Sequence, residues 1–433
     1  MINDFFVFPD NFNTPNEFLL IRRIGERSFR FSDGQALTSP PQIHMMKSLH
    51  SFGSRNLEEI VMYPHLFSPL TMGKLELKNR ITMAPMYLGY AKDGLINDVL
   101  IEHYEMMAEG GVALVVVENA TVDHPTGSGS FRTIRADDDE FIPGLTRLAQ
   151  AIKGKGALAC LQLNHAGRFA GATAEPVAPS AVETFGRMPR ALSKDEMASI
   201  REKFVQAAVR VKKAGFDMVE LHGGTGYLLA QFVSPHTNKR TDEYGSSPEN
   251  RRRFPLEVLK AVKEAIKDFS VGYRFLADEW LPDGLKLEES GPFARALEQA
   301  GIAYISVMGG TYESFFLPEI AERSKKDGYM ISLAAAIKKE VNVPVIAAGL
   351  ITTGKLAEDT IAQGQADLIG LARVLWTDPE WPKKVRDGRE SEIIRCDACD
   401  TCMHMLMQQK PPLCAHWPPA KRKEWKEKLR AIE

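Results

Sequence analysis

The sequence has little cysteine, little net charge and no long apolar run, and each shortage excludes something. Five cysteines stand among 433 residues, four of them from Cys396 to Cys414, with Cys160 alone. Scattered pairs would point to disulfides. One tight group in a chain without a secretion signal points to metal instead. The formal net charge is −2, so nothing calls for a polyanion such as nucleic acid as a partner. No stretch approaches the roughly 18 apolar residues that a membrane-spanning helix requires. The first residues include Asp4, Asp10 and Glu17. They lack the basic start and apolar core of a secretory signal, so the expected location is cytoplasmic.

Hydrophobic residues make up 44% of the chain, enough for the core of one large α/β domain with appendages. Residues 1–62 are rich in Phe, Asn, Ser and Arg and show no clear periodicity. They are expected to be an N-terminal extension, in part disordered, with Met45, Met46 and Met62 as alternative starts. An arm packed on a partner is the sharper reading. From Leu66 onward, short apolar runs alternate with amphipathic stretches. The runs are 81–85, 112–118, 157–163, 218–222, 271–275, 303–307, 343–349 and 367–373. Each is rich in Val, Ile, Leu and Ala, as a strand covered on both faces should be. Helices are expected between them, with Ser193 and Ser290 as starts. Gly215, Gly301 and Gly364 are expected to end helices. The pattern predicts a (β/α)8 TIM barrel over 63–390, followed by a cysteine-rich segment at 391–433. A doubly wound sheet is the alternative, but eight regular βα units favour closure.

Chemistry in such a barrel sits where the strands end. Gly349 and Gly370 permit close backbone approach in the last two units. With the guanidinium of Arg373 they suggest an anion site for a phosphate-bearing cofactor or substrate. Arg274 and Gln162 suit the electron-rich and amide-like edges of a flavin. His222 can anchor a carbonyl oxygen and Tyr227 can deliver a proton, which suits reduction of a polarised C=C bond. For any one of these residues alone, satisfying local backbone is the commoner role. Their convergence on one cavity argues against that for the set.

Long motifs then join these residues. They are LFSPLTMGKLELKNRITMAPM (66–86), DG (93–94), HYEMMAEGGVALVVVE (103–118), LQLNHAGR (161–168), the stretch from GFDMVELHGGTGYLLAQF to ENRRRF (215–254), and GLARVLWTDPEWPKK (370–384). Together they resemble the old yellow enzyme family, and most closely the branch that contains 2,4-dienoyl-CoA reductase and trimethylamine dehydrogenase. The resemblance implies FMN contacted by Pro85, Met86, Gln162, Arg274, Gly349 and Arg373. It also implies His222 as substrate anchor and Tyr227 as proton donor. Three positions depart from or extend that pattern. Thr225 stands where the family often has a second His or Asn. Asn164 stands where classical members often have Trp, with His165 beside it as a cavity-lining candidate. Tyr312 falls near a second polar catalytic position of the dienoyl-CoA branch, which makes His165, Thr225 and Tyr312 the expected substrate-binding residues.

Cys396, Cys399, Cys402 and Cys414 give C-x2-C-x2-C-x11-C. That spacing, together with the matching feature of the branch, favours a [4Fe–4S] cluster over zinc, for which His404 and His416 are available as further ligands. Cys160 is expected to be a buried apolar residue. Relatives with this cluster commonly continue into a further flavin- and nicotinamide-binding region, and no G-x-G-x-x-G follows Cys414. The expectation is therefore electron exchange through the cluster with an electron-transfer flavoprotein or an NADH-oxidising subunit, or direct reduction of FMN by NAD(P)H. Assembly as a homo-oligomer or hetero-complex follows from the same reading. Three functions remain open: an ene-reductase for an α,β-unsaturated carbonyl or enoyl thioester, an amine-type dehydrogenase, and an electron-transfer subunit of a larger complex.

Overall fold

A computed structural model describes residues 62–432. The N-terminal extension expected at 1–62 therefore lies, apart from Met62, outside the described residues. All eight apolar runs form strands: β1 (Ile81–Met83), β2 (Leu114–Thr121), β3 (Leu158–Asn164), β4 (Met218–Gly223), β5 (Ser270–Asp278), β6 (Tyr304–Gly309), β7 (Val345–Ala347) and β8 (Leu368–Leu371). They pair in sequence order, all parallel, and β8 returns to β1 to close the barrel. A helix follows each strand: α1 (Asp98–Glu109), α2 (Ile142–Gly154), α3 (Lys194–Lys213), α4 (Arg253–Ile266), α5 (Leu287–Gln299), α6 (Ile331–Lys338), α7 (Gly354–Ala362) and α8 (Arg373–Thr377). This is the (β/α)8 architecture.

Alternation along the strands explains why the runs read as continuously apolar. Val115, Val117, Ala159, Leu161, Val219 and Leu221 belong to the large core shared with the helices. Leu114, Val116, Cys160, Met218, Tyr304, Ile346 and Leu368 form a second cluster inside the barrel. Met72 and Leu77, from an antiparallel hairpin ahead of β1, join that inner cluster and plug it. Cys160 is fully buried there.

Local signals set the helix ends. Ser193 accepts from the Glu196 N–H, and Glu196 accepts from the Ser193 N–H, which completes a capping box on α3. Gly215, Gly301 and Gly364 follow their helices at φ of 84°, 84° and 67°, the left-handed region where glycine carries no Cβ penalty. Ser290 is a correction. The helix starts at Leu287 after an extended Lys286, and Ser290 lies inside it, with its hydroxyl donating to the Leu287 carbonyl. Ser-Gly-Pro reads as a start because proline favours a first turn. Here Pro292 is instead accommodated further inside the helix.

The segment after residue 391 packs on the barrel. It holds helices Thr401–Met407 and Pro419–Arg430. Trp417 donates to the Trp376 carbonyl at 2.9 Å, and Tyr90 donates to the Pro412 carbonyl at 2.7 Å. Trp417 and Trp425 are both buried. No helix among the described residues is long and apolar enough to cross a membrane.

Four loops at the strand C-terminal ends are tied by charge. Arg168, after β3, is buried and donates through both terminal nitrogens to Glu313, after β6. His236, after β4, reaches Glu313 at 3.6 Å and Asp283, after β5, at 3.0 Å. The hydrogen bond to Glu313 and the one to Asp283 outweigh partial burial and raise the His236 pKa from 6.5 to about 8. The folded state therefore holds this proton more tightly than the unfolded chain. The stabilisation is fully present below pH 6.5 and is lost as pH rises through about 8. His236→Gln should cost about 1 kcal/mol at pH 6, allowing for solvent screening of a partly exposed ring, and close to nothing at pH 9. Urea unfolding of both proteins at the two pH values checks this, and a gap that does not shrink at pH 9 would refute it.

Candidate active site

Strand register builds the site in layers. Across β3, β4, β5 and β6, Gln162, Glu220, Gly272 and Tyr304 lie side by side. The fully buried Glu220 accepts from the Gln162 amide at 2.7 Å and from the Tyr304 hydroxyl at 2.8 Å. Gly272 leaves room for the Tyr304 ring, since a Cβ there would lie 2.2 Å from Tyr304 Cζ. With its NH2 group held by Glu220, Gln162 is free to turn its amide oxygen toward the cavity. One layer up come His222, Arg274 and Ser306, again in register. Arg274 donates to Ser306 Oγ at 2.7 Å.

Above these layers lies a cavity of about 90 Å³, bounded by Pro85, Met86, Tyr87, Asn119, Gln162, His222, Thr225, Tyr227 and Tyr312. The structure thus brings together at one wall most of the residues singled out by sequence for flavin, substrate and proton transfer. Burial, and then the charge of Arg274, hold His222 well below its ordinary pKa of 6.5, so the ring is neutral. Its Nδ1 accepts from the Gly224 N–H at 3.2 Å. The ring proton therefore sits on Nε2, which makes that nitrogen a donor.

The His222 and Tyr227 rings are 4.8 Å apart, edge to face. The Tyr227 and Tyr312 hydroxyls are 2.8 Å apart. Burial raises the pKa of both phenols, and for Tyr227 the neighbouring Tyr312 adds to the rise. Both keep their protons at neutral pH. Thr225 has a left-handed backbone at φ 58°. Its N–H and hydroxyl face the Met308 sulfur at 3.2 and 3.4 Å.

Four expected residues lie elsewhere around the barrel end, and His165 turns away. His165 is buried, with Nδ1 accepting from the Gly167 N–H and Nε2 3.6 Å from Asp123, so it is not on the cavity wall. Arg274 shares the layer of His222 but is not on the cavity wall. Gly349 follows β7 at φ 108°, and a Cβ there would meet the Met330 nitrogen at 2.8 Å. Gly370 lies within β8 rather than in a loop. Arg373 opens α8 and stands 3.4 Å from Asp400. Burial raises the pKa of the Tyr329 phenol, and the charges of Arg373 and then Arg274 oppose that rise.

Sequence reading passed over Glu220 as a site residue. The usable signal for Glu220 was a lone acid inside a run covered on both faces, where an unpaired carboxylate is costly. Asn119 Oδ1 is buried on the cavity wall without a hydrogen-bond partner among the described residues. An unpaired acceptor there, the Gln162 amide and the Arg274 guanidinium fit a planar cofactor with an amide-like edge.

The four clustered cysteines line one cavity together with Arg373, Trp376 and Thr377. Burial raises the Cys396 thiol and pushes Cys402 up to about 11, while the Arg373 charge pulls both down. Cys414 is buried and its sulfur is 3.6 Å from Thr377 Oγ1. A donor set of four thiols beside a cation fits a metal centre that requires thiolates. The ligand atoms of Asp397, Cys399 and His416 also lie within 4.8 Å of one another, but all three are exposed and His416 already pairs with Asp397 at 2.7 Å. His404 lies on the helix Thr401–Met407 and is not on the cysteine cavity.

Known proteins are similar to this chain. The chain is 45% identical over 347 residues to an NADH oxidase of Thermoanaerobacter brockii, covering 78% of this chain and 53% of that protein. It thus spans about half the length of that relative. It is 39% identical over 321 residues to an NADPH dehydrogenase of Geobacillus sp. (strain WCH70), covering 73% of this chain and 92% of the other. Among solved structures, 2-naphthoyl-CoA reductase in complex with 2-naphthoyl-CoA superposes with a TM-score of 0.79 at 30% identity, over 82% of this chain and 57% of that one. The NADH:flavin oxidoreductase / NADH oxidase family model matches residues 65–392. A match across the whole barrel, on a fold and strand-end cavity of this kind, means that the chain belongs to the NADH:flavin oxidoreductase / NADH oxidase family.

Proposed function

We propose that this chain is an FMN-dependent reductase of activated C=C bonds in α,β-unsaturated carbonyls or enoyl thioesters. One observation carries the reading: a neutral His222 with its proton on Nε2 stands beside a protonated Tyr227 on one cavity wall. FMN, when bound, supplies hydride chemistry to one carbon of the double bond, with NAD(P)H as the electron donor. Pro85, Met86, Gln162, Arg274, Gly349, Gly370 and Arg373 would hold it. The Nε2–H of His222 donates to the carbonyl oxygen of the substrate and favours charge there. The Tyr227 hydroxyl holds a proton for the other carbon, and Tyr312 hydrogen-bonds that hydroxyl and orients it. Thr225 and Tyr312 border the substrate. His165, turned toward Asp123, drops out of the proposed substrate set. The names of relatives that oxidise NADH or NADPH, and of a structural neighbour that reduces a CoA thioester, support this reading.

We further propose residues 63–390 as the FMN barrel and 391–433 as a cluster segment. Cys396, Cys399, Cys402 and Cys414 would hold [4Fe–4S], and an electron-transfer flavoprotein or NADH-oxidising subunit would exchange electrons there. The common cavity of the four thiols and the cation beside it support that assignment.

Two measurements test these proposals. Tyr227→Phe should retain bound flavin while the turnover of 2-cyclohexen-1-one with NAD(P)H falls about 10²- to 10⁴-fold. Unchanged turnover would remove Tyr227 as proton donor. Anaerobically purified protein should carry about four iron and four acid-labile sulfide per chain, and Cys402→Ala should lose them while keeping flavin. Zinc in place of iron would overturn the cluster assignment.

A further inference from the structure

A carboxylate can only accept hydrogen bonds, and that fixes two side chains around Glu220. The Gln162 amide must meet it through its NH2 group, at 2.7 Å, and Tyr304 through its hydroxyl proton, at 2.8 Å. Each carboxylate oxygen thus receives one donor, the arrangement of an ionised group rather than of an acid with a proton to place. Tyr304 has little freedom to turn away. Its hydroxyl also lies 3.8 Å from Cys160 Sγ, and its ring fills the space that Gly272 leaves. Gln162, Glu220 and Tyr304 are all buried, so water does not compete for these bonds.

Two consequences reach the cavity. Gln162 is cavity wall, and with its NH2 group held by Glu220 the part left for the cavity is its carbonyl oxygen, an acceptor. The charge itself lies one layer below Arg274, and the Arg274 guanidinium leads the interactions that oppose the effect of burial on Glu220. Glu220 in turn cancels part of the positive field that Arg274 lends the site. Both consequences act in one direction. A flavin gains negative charge density when it is reduced. An acceptor oxygen and a carboxylate close by disfavour that charge, whereas an amide donor and an uncompensated guanidinium would favour it. Inside a barrel such charges are weakly screened.

Resting on the reading that FMN occupies this cavity, we propose that Glu220 is a positioning residue that sets the flavin potential: its charge and its hold on Gln162 bias the site against reduced FMN and make the bound flavin a stronger reductant. Glu220 is not on the cavity wall, so it acts through Gln162 and Arg274. A lower potential favours hydride transfer onto a weakly activated double bond.

Anaerobic dye equilibration of the holoenzyme measures the two-electron flavin potential, with thermal unfolding as the control for folding. Glu220→Gln keeps the shape, removes the charge and lets the Gln162 amide turn over. Its affinity for reduced relative to oxidised FMN should grow about tenfold, which raises the potential by about 30 mV. The exchanged pair, Glu220→Gln with Gln162→Glu, restores a carboxylate within the same hydrogen-bonded pair, so its potential should return to the parent value or fall below it. An unchanged or lower potential in Glu220→Gln, or an exchanged pair above the parent, would overturn the proposal. The second comparison decides the matter if the single variant does not fold. A purely structural role would lower the unfolding temperature and leave the potential where it is. If the parent holds FMN but does not reduce 2-cyclohexen-1-one, the ene-reductase reading fails while the potentials still decide the role of Glu220. A parent protein without FMN would overturn both.

Discussion

The buried carboxylate of Glu220 is the contact on which the rest of the site depends. Parallel register sets it between Gln162 and Tyr304, and all three must agree for the charge to be tolerated inside a barrel. Burial raises its pKa, and the Arg274 charge leads the interactions that oppose the rise. The same Arg274 helps keep His222 neutral. One acid inside the barrel thus orients the Gln162 amide and offsets a guanidinium. Around it the barrel interior changes from the apolar plug of Cys160, Met218 and Leu368 to a polar floor under the cavity.

Above that floor, side chains far apart in sequence hold one another in place. The Arg168–Glu313 pair joins the loop of Phe169 to the loop of Tyr312, and those two rings pack together against Tyr227. The pair is buried on the Arg168 side, so its strength is not diluted by solvent as an exposed ion pair would be. A phenol at 2.8 Å from a second phenol requires such support, because a free loop would lose that geometry to conformational entropy.

The cysteine segment joins the barrel through a different kind of contact. Trp376, Trp417 and Trp425 form a buried row of tilted rings, with centroids 5.1 and 5.5 Å apart, and Trp376 lines the thiol cavity. Arg373 lies at that cavity and also acts on Tyr329, which feels Arg274 as well. The cation that sequence suggested for phosphate therefore lines the thiol site, at the start of the helix that follows β8.

The sequence by itself determined the features that are local. Eight strands were legible because burial on both faces makes each run apolar whatever its neighbours are. The capping box at Ser193, the left-handed glycines and the cysteine spacing depend on residues a few positions apart. Only tertiary structure decided the rest. His165 points to Asp123 rather than to the cavity, Glu220 finds Gln162 and Tyr304, and Thr225 faces Met308. Ser290 follows the same rule: a start signal in the chain was overridden by packing that begins the helix at Leu287. These outcomes rest on register between strands and contacts between loops, which are long-range interactions that no local pattern encodes.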